Sequence, residues 1–450
     1  MTLLLHVALL SGQQASICLE SEATVDDLRV QAQHKLQLSI AGLFSADGNV
    51  LRRQSKLEDL PLSSGDTVSA TVCHAVLFSS RMSKGFALLR DGLVATWGDA
   101  DFGGDCRAVQ DQLRDVETIE AGSSAFAAIR DDGTVVTWGN PVCGGSSRNV
   151  QQQLQGVVEV SASGAAFAAV RSDGSVVAWG LGSQGADTSR VQERLRNVKM
   201  IRAAGSAFTA VLHDGTVVAW GDPRNGGDCS DVEDSLVLFD KLVDVQDVKG
   251  SAGAFAALLR DGSVVTWGHA EFGGDSSAVQ AELHNVCAIV SNSRAFAALT
   301  ATGSVTTWGH SLHGGDSTSE QVRLKSVREI VASATAFAAI RCDETVVTWG
   351  FAPHGGDSSS VQAELRGVQR IAASSGAFAA VRSDGSVVTW GHADHGGDSS
   401  SLQGDLVDIY DIKGSCSAFA AMRTDGSILT WGDPLLGGDS AQCLSQSDDT

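Results

Sequence analysis

All nine tryptophans of the chain are followed by glycine: Trp97, Trp138, Trp179, Trp220, Trp267, Trp308, Trp349, Trp390 and Trp431. Their successive spacings are 41, 41, 41, 47, 41, 41, 41 and 41 residues. Each closes a copy of one stretch, which reads AFAALLRDGSVVTWG at residues 254–268. Self-similarity at a fixed period of this length marks a repeat array. Each unit packs only on its neighbours, so 450 residues need no single core.

A unit runs Val286-x-x-Ile289, then Ala295-Phe296-Ala297-Ala298, then Ser304-Val305-Thr306-Thr307-Trp308-Gly309. It predicts three strands. The second and third are joined in most units by Asp-Gly, as at Asp132-Gly133, Asp173-Gly174, Asp214-Gly215, Asp384-Gly385 and Asp425-Gly426. Asp-Gly tolerates positive φ, so a two-residue type I′ hairpin is expected. Two units depart, with Thr302-Gly303 and Asp343-Glu344, and the second loses turn stability with its glycine. Phe126 and Ala128 point to one face of the strand, Ala127 and Ile129 to the other. Both faces are therefore apolar, as in a small sheet sandwiched between neighbours, and the tryptophan reads as a packing residue.

After each Trp-Gly comes a loop, most often Gly-Gly-Asp, and then Ser-x-Val-Gln-x-x-Leu. Ser277 and Gln280 stand at capping-box spacing, as do Ser189/Gln192, Ser359/Gln362 and Ser400/Gln403. One helical turn anchored by Val279 and Leu283 is expected there. The excess of six residues in the fourth interval lies in 232–248, and residues 441–450 form a polar tail.

Residues 1–75 are patterned differently. Leu3 to Leu10 and Ala15 to Glu20 read as a strand hairpin, and Thr24 as the N-cap of a helix running to about Leu36. Val25, Leu28, Ala32 and Leu36 give that helix one apolar face. A short strand at Leu43-Phe44, a turn at Asp47-Gly48 and a strand over Thr67–Val72 complete the segment.

Charge narrows the partners. The net charge is −21, and the few lysines do not cluster, which disfavours nucleic acid and anionic membranes. No apolar run approaches the roughly 18 residues of a membrane span. Nine cysteines at irregular spacing, with no CxxC, read as free thiols of an intracellular protein, cytoplasmic or nuclear.

The Phe-Ala-Ala strand, the Asp-Gly turn, the Val-x-x-Trp-Gly strand and the following glycine loop resemble the regulator-of-chromosome-condensation repeat. At 41 residues the unit is closer to the compact three-stranded blades of β-lactamase inhibitor protein II. The resemblance implies a mainly β fold, a β-propeller of about nine three-stranded repeats over 76–440. Relatives usually have seven blades, so a nine-bladed ring, a ring with extra units and an open spiral all remain. The hairpin, TVDDLRVQAQHKL, LFSADGNVL and KLEDLPLSSGDTVSATV, in that order, resemble the ubiquitin-like β-grasp fold (α+β). That family's apolar contact patch falls near Leu10, Phe44 and Thr71. Val72-Cys73-His74-Ala75 runs on into the repeats with no terminal Gly-Gly, which implies an integral domain that docks to a partner or caps the array.

Three groups of residues could carry function. Asp105, Asp187, Asp228, Asp275, Asp316, Asp357, Asp398 and Asp439 recur at one position in eight of the nine units, as a ring of carboxylates or as turn residues bonded to their own backbone. Six of the 11 histidines fall in four consecutive units: His269, His310, His313, His354, His392 and His395. The near-copies His310-x-x-His313-Gly-Gly-Asp316 and His392-x-x-His395-Gly-Gly-Asp398 offer imidazole and carboxylate to a transition metal, although the same pattern follows from duplication alone. Leu10, Phe44, His269 and His354 are the candidates for partner contact. No nucleophile motif, phosphate loop or dinucleotide fingerprint occurs in a supporting context, and no cofactor is expected. The expected function is a non-catalytic scaffold or adaptor, its propeller binding protein and its first domain linking to the ubiquitin pathway. Two alternatives are guanine-nucleotide exchange on a small GTPase and a component of a HECT-type ubiquitin ligase system that lacks its own catalytic domain.

Overall fold

The computed structural model describes residues 2–9, 13–20, 22–36, 40–45, 47, 50–51, 55–72, 75–229, 242, 244–423 and 426–440. By contact density the chain divides into two compact units. One comprises 1–76 with 89–93 and 424–427; the other comprises 77–88, 94–423 and 428–450.

The first unit contains β1 (Thr2–Leu9), β2 (Gln14–Glu20), α1 (Val25–Leu36), β3 (Ile40–Phe44), β4 (Val50–Leu51) and β5 (Thr67–Val72). The sheet order is β2-β1-β5-β3-β4, with β1 and β5 parallel and the other pairs antiparallel. Helix α1 starts where the sequence places it. The Asp27 amide donates to Thr24 Oγ1 at 3.2 Å, and the Thr24 amide and hydroxyl each donate to Asp27 Oδ2 at 2.8 Å. The amide of Thr24 first, then its hydroxyl, hold the Asp27 carboxyl below its ordinary value. Leu28 and Ala32 of α1 are buried with Leu5, Val7, Ile17, Leu43, Leu57 and Val68 in one core. The two-residue strand β4 escaped sequence reading, because it is too short to show alternation.

The second part of the chain is a series of nine three-stranded sheets, each built from consecutive strands. These blades span 76–98, 116–139, 157–180, 198–221, 245–268, 286–309, 327–350, 368–391 and 409–432. Blade 6, for example, is Val286–Ser291, Ala295–Thr300 and Val305–Gly309. First strands of successive blades pack side by side and form the inner edge of a propeller-like array.

The cores lie between blades. Ala125, Ala127 and Ile129 of blade 2 pack with Phe167, Ala169 and Trp179 of blade 3. The opposite face of blade 3, Ala166, Ala168 and Val170, packs with Phe208, Ala210 and Trp220 of blade 4. Alternation thus assigns alanines to one neighbour and Phe-plus-Trp to the other. Small residues let sheets approach, and the paired rings fill the gap.

Each tryptophan also ties its blade to the one before. It stacks on its own blade's phenylalanine, as Trp138 does on Phe126 with ring centroids 5.4 Å apart. Its Nε1–H donates to a loop glycine of the preceding blade: Trp138 to Gly103 O at 3.0 Å, Trp179 to Gly144 O at 2.9 Å, Trp308 to Gly273 O at 3.0 Å. Gly103 has φ +100°, and a Cβ there would lie 2.5 Å from the Phe126 ring, so glycine is required twice over. Trp97 of blade 1 makes the same bond to Gly437 O, beyond blade 9, at 3.2 Å. A Cβ on Gly437 would meet Phe86 of blade 1 at 2.6 Å.

A second set of links joins the turns between inner and middle strands. Ala252 N donates to Ser293 O, Ser293 N to Ala334 O and Ala334 N to Ser375 O, each at 3.0 Å, and Ser375 N to Cys416 O at 3.1 Å. Cys416 N then donates to Ser83 O of blade 1 at 2.7 Å.

Two expectations are corrected. The Asp-Gly loops are not two-residue type I′ turns in blades 2 to 5 and 8, and Asp425 of blade 9 lies outside the described residues. In blade 2, Gly133 N donates to Arg130 O at 2.8 Å and Arg130 N to Thr134 O at 2.9 Å; Gly133 has φ +74° and Asp132 is not left-handed. This is a tighter turn followed by a left-handed glycine in a bulge. Asp132 Oδ1 accepts from the Thr134 amide at 2.9 Å, which is why aspartate precedes the glycine. Among the described residues, only blade 1, one residue shorter between its Phe and Trp, has both φ values positive, 55° at Asp91 and 78° at Gly92. Where glycine is missing, Glu344 adopts φ +63°.

The capping boxes are also displaced. The hydroxyl that meets Gln280 belongs to Ser276, not Ser277: it donates to Oε1 at 3.0 Å, and Gln280 Nε2 donates to Val264 O at 3.1 Å. The same holds for Ser358/Gln362 and Ser399/Gln403, and Thr188 serves Gln192. The glutamine turns inward to satisfy a strand-edge carbonyl instead of capping the short 3-10 turn. Cys106 takes the serine's place in blade 1, its Sγ 3.0 Å from Gln110 Oε1.

Candidate functional site

On leaving the outer strand, each blade enters a three-residue 3-10 turn, such as Ser311–His313 or Ala393–His395. The carbonyl ending it is held by a side chain from the same blade's inner turn. Ser251 Oγ donates to Phe272 O at 2.9 Å, Asn292 Nδ2 to His313 O at 2.6 Å, Ser333 Oγ to His354 O at 3.3 Å and Ser374 Oγ to His395 O at 2.8 Å. Outer-strand exits and inner turns therefore share one face of the blades.

Five of the six loop histidines gather there over blades 6 to 8. His310 and His313 have ring centroids 4.7 Å apart. His354 lies 5.7 Å from His395 and 5.9 Å from His392, which are 5.1 Å from each other. All five are half-buried. Thr335 Oγ1 meets His354 Nδ1 at 2.9 Å and Ser375 Oγ meets His395 Nδ1 at 2.8 Å, whereas Nδ1 of His310, His313 and His392 is buried without a hydrogen-bond partner, Asp394 Oδ2 lying 4.0 Å from His392 Nδ1. Burial first, then His310, Arg294 and His354, push His313 below its ordinary value; burial, then His395 and His392, do so for His354. For His395 burial again leads, followed by His392.

His269 stands apart. Its Nδ1 accepts from the Glu271 amide at 3.2 Å, and its ring meets the edge of Phe272 at 5.1 Å. Beside the arc, Leu312, Phe351, Ala352 and Pro353 line a groove of about 430 Å³, with Leu312 66% exposed.

The two His-x-x-His-Gly-Gly-Asp copies are not brought together. Asp316 accepts from the Thr318 amide at 2.9 Å and Asp398 from the Ser400 amide at 2.9 Å, so both carboxylates serve their own turns. Asp105, Asp187, Asp275 and Asp357 do likewise with the residue two further on. The carboxyls lie below their ordinary value: for Asp316 the Thr318 hydroxyl contributes most, then its amide; for Asp105 the Arg107 guanidinium contributes most; for Asp187, Asp275, Asp357 and Asp398 the amide two residues on does. Among the described residues, no three His, Cys, Asp or Glu side chains are placed to hold a metal ion. In the first unit Phe44 is half-buried, and Leu10 lies outside the described residues. Most of the 232–248 insertion lies outside them as well.

Arg81 was missed in the sequence. It lies in the turn after the inner strand of blade 1 (Val76–Phe78), at the position relative to the blade phenylalanine where the other blades have Ala121, Ala162, Ala203, Gly250, Ser291, Ala332, Ala373 and Gly414. Its Nη1 donates to Ser291 O of blade 6 at 2.8 Å and lies 3.5 Å from Ser333 O of blade 7. Burial pushes the guanidinium down to about 10, so it stays charged at neutral pH. Aligning the units would have found it, as the one long side chain in a column of small ones.

Further along the inner strands a chain of charges bridges blades 3 to 5. Glu159 Oε1 is 2.6 Å from Arg202 Nη1, Arg202 Nε is 3.2 Å from Asp247 Oδ1, and Asp247 Oδ2 is 2.8 Å from Lys249 Nζ. Glu120 of blade 2 accepts from the Ala162 amide of blade 3 at 3.2 Å. Burial raises its carboxyl to about 7, and the nearby Glu159 adds to the effect.

Among the described residues, no helix is long and apolar enough to cross a membrane. No protein-family model and no curated protein matches the chain. Solved structures do resemble it. Yeast RCC1 (Prp20) bound to Kap60 superposes with a TM-score of 0.41 at 15% identity, over 72% of this chain and 86% of that one. Prp20p from Saccharomyces cerevisiae, described with its binding to Gsp1p and histones, gives 0.38 at 15% identity over 57% and 80%. Human WBSCR16 gives 0.36 at 17% identity over 60% and 83%.

Proposed function

We propose that this protein is a non-catalytic intracellular interaction scaffold, its nine blades closed into one ring with a protein partner bound on the histidine face. Closure is supported by Trp97 and Cys416, which repeat between blades 9 and 1 the bonds that join every other pair or most of them. The binding reading is carried by one observation. The blade framework is nearly uniform, yet the loops over blades 6 to 8 depart from it together, with five clustered histidines beside exposed Leu312 and Phe351. Aromatic, amphipathic rings next to exposed apolar side chains are the composition of a protein-contact surface.

Residues 1–75 are proposed as an integral ubiquitin-like domain that reaches ubiquitin-pathway proteins through the surface around Phe44. The strand order β2-β1-β5-β3-β4, with a helix between β2 and β3, supports that assignment.

The test is affinity capture with the full chain, with His354→Ala plus Phe351→Ala, and with Phe44→Ala. A partner that the double variant loses and the wild type keeps supports the face. Partners unchanged in both variants would overturn the assignment of either surface.

A further inference from the structure

We infer that the histidine face seats a carboxylate of an acidic protein segment, with Arg81 as its central anchor. The inference deepens the protein-binding reading and rests on it. Arg81 reaches from blade 1 to the inner ends of blades 6 and 7, so one guanidinium spans the centre of the face. Both of its protein contacts are neutral carbonyls made by Nη1, and no carboxylate pairs with it among the described residues. Its Nε and Nη2 are not sealed off from solvent without partners. A planar fork with free donors in a partly dehydrated setting matches a carboxylate in two-point contact.

One further fixed cation, Arg294, stands nearby among neutral imidazoles. The loops 292–294, 310–313, 333–335 and 351–354 over blades 6 and 7 carry Arg294, His310, His313 and His354 and no acid. Ser333 joins the two features: its carbonyl faces Arg81 and its hydroxyl donates to His354 O. Arg294 lies over the Phe272 ring, 5.0 Å from its centroid, which holds a second cation at the edge of the arc. The nearest acids along these loops, Asp316 and Asp357, are bonded to their own turns. Asp316 and Glu320 line the adjacent groove, Glu320 paired with Arg323, and Asp394 stands 4.0 Å from His392 Nδ1, so the charge that favours an acidic partner is the unpaired guanidinium of Arg81, with Arg294 beside the arc.

Fluorescence anisotropy with a labelled Glu-Ala repeat peptide tests this, with Gln-Ala and Lys-Ala peptides of equal length as controls. The full-length protein should bind the Glu peptide in preference to both controls, although its overall charge favours the Lys peptide. Arg81→Met should weaken binding about tenfold or more, and Arg81→Lys less. Should Arg81→Met fail to fold by circular dichroism, Arg294→Met serves, with a loss of at least about threefold expected at this more exposed cation. Equal binding by wild type and these variants, or preference for the Lys peptide, would overturn the inference. Displacement of the Glu peptide by sodium phosphate, but not by sodium chloride of equal ionic strength, would make the seat a phosphate site and overturn the carboxylate assignment. A captured partner lost on His354→Ala plus Phe351→Ala yet kept by Arg81→Met would leave the binding face standing and sink the carboxylate seat alone.

Discussion

Glu120→Gln should stabilise the protein at pH 8 and leave it unchanged at pH 4.5. The glutamine keeps an acceptor for the Ala162 amide, 3.2 Å from Oε1, and removes only the charge. In the folded chain the Glu120 carboxyl sits at about 7 against an ordinary 4.5, because burial and the neighbouring Glu159 disfavour its ionised form. The folded state therefore holds a proton that the unfolded state releases. Stability of the wild type falls as pH rises from 4.5 to 7, and the full penalty is present above 7. A displacement of that size amounts to at most about 3 kcal/mol, and water at this partly exposed site lowers it, so a gain of about 1–2 kcal/mol is expected at pH 8. Urea unfolding of both proteins from pH 4.5 to 8 measures it. Other ionisable groups titrate alike in the two chains, so the difference between them isolates Glu120. Curves that part with rising pH, the Gln variant higher, are the expected result. A gap that is constant across pH, or a Gln variant less stable at pH 8, would refute the electrostatic account.

The proposed ring closure would make Trp97 equivalent to an interior tryptophan: Trp97→Phe and Trp308→Phe should each cost about 1–3 kcal/mol by orphaning a glycine carbonyl, whereas an open array would leave Trp97→Phe nearly silent in thermal melts. Gly437→Ala should destabilise as much as Gly103→Ala, by about 1–3 kcal/mol, since both force a side chain against a phenylalanine ring at positive φ. Glu344→Gly should raise the melting temperature, relieving about 1 kcal/mol of left-handed strain, despite losing the 2.8 Å bond from Gln369. Thr24→Ala should cost the first unit about 1 kcal/mol, read as earlier loss of protection at the start of α1 in hydrogen exchange.

Periodicity carried most of the fold. The Trp-Gly spacing gave the number of units and the Phe-Ala-Ala run gave two-sided burial, because both follow from one packing rule applied nine times. Turn detail was less legible. Asp132-Gly133 is compatible with two hairpin geometries, and the choice depends on whether the strands are separated by two residues or three. Ser277 and Ser276 are adjacent hydroxyls, so spacing alone could not say which one faces Gln280. At the candidate site, the histidines were visible as a cluster in sequence, but their division into an arc over blades 6 to 8 and a separate His269 depends on local rings and amides. Arg81 was invisible to motif reading because its significance is positional: the chemistry lies in a contact across more than 200 residues.

Among the described residues, every blade is made from three strands in direct succession. The proposed ring, joined in this way, has no clasp. Between blades 9 and 1 its halves meet through the same small staple used everywhere else, a tryptophan on a glycine carbonyl. Such a seam is interchangeable with its neighbours, so new ends could be cut at any blade boundary and the old ones spliced. It also means that the seam of one molecule offers the surface that the seam of another needs, and crowding or partial unfolding would let two rings open into a single larger one.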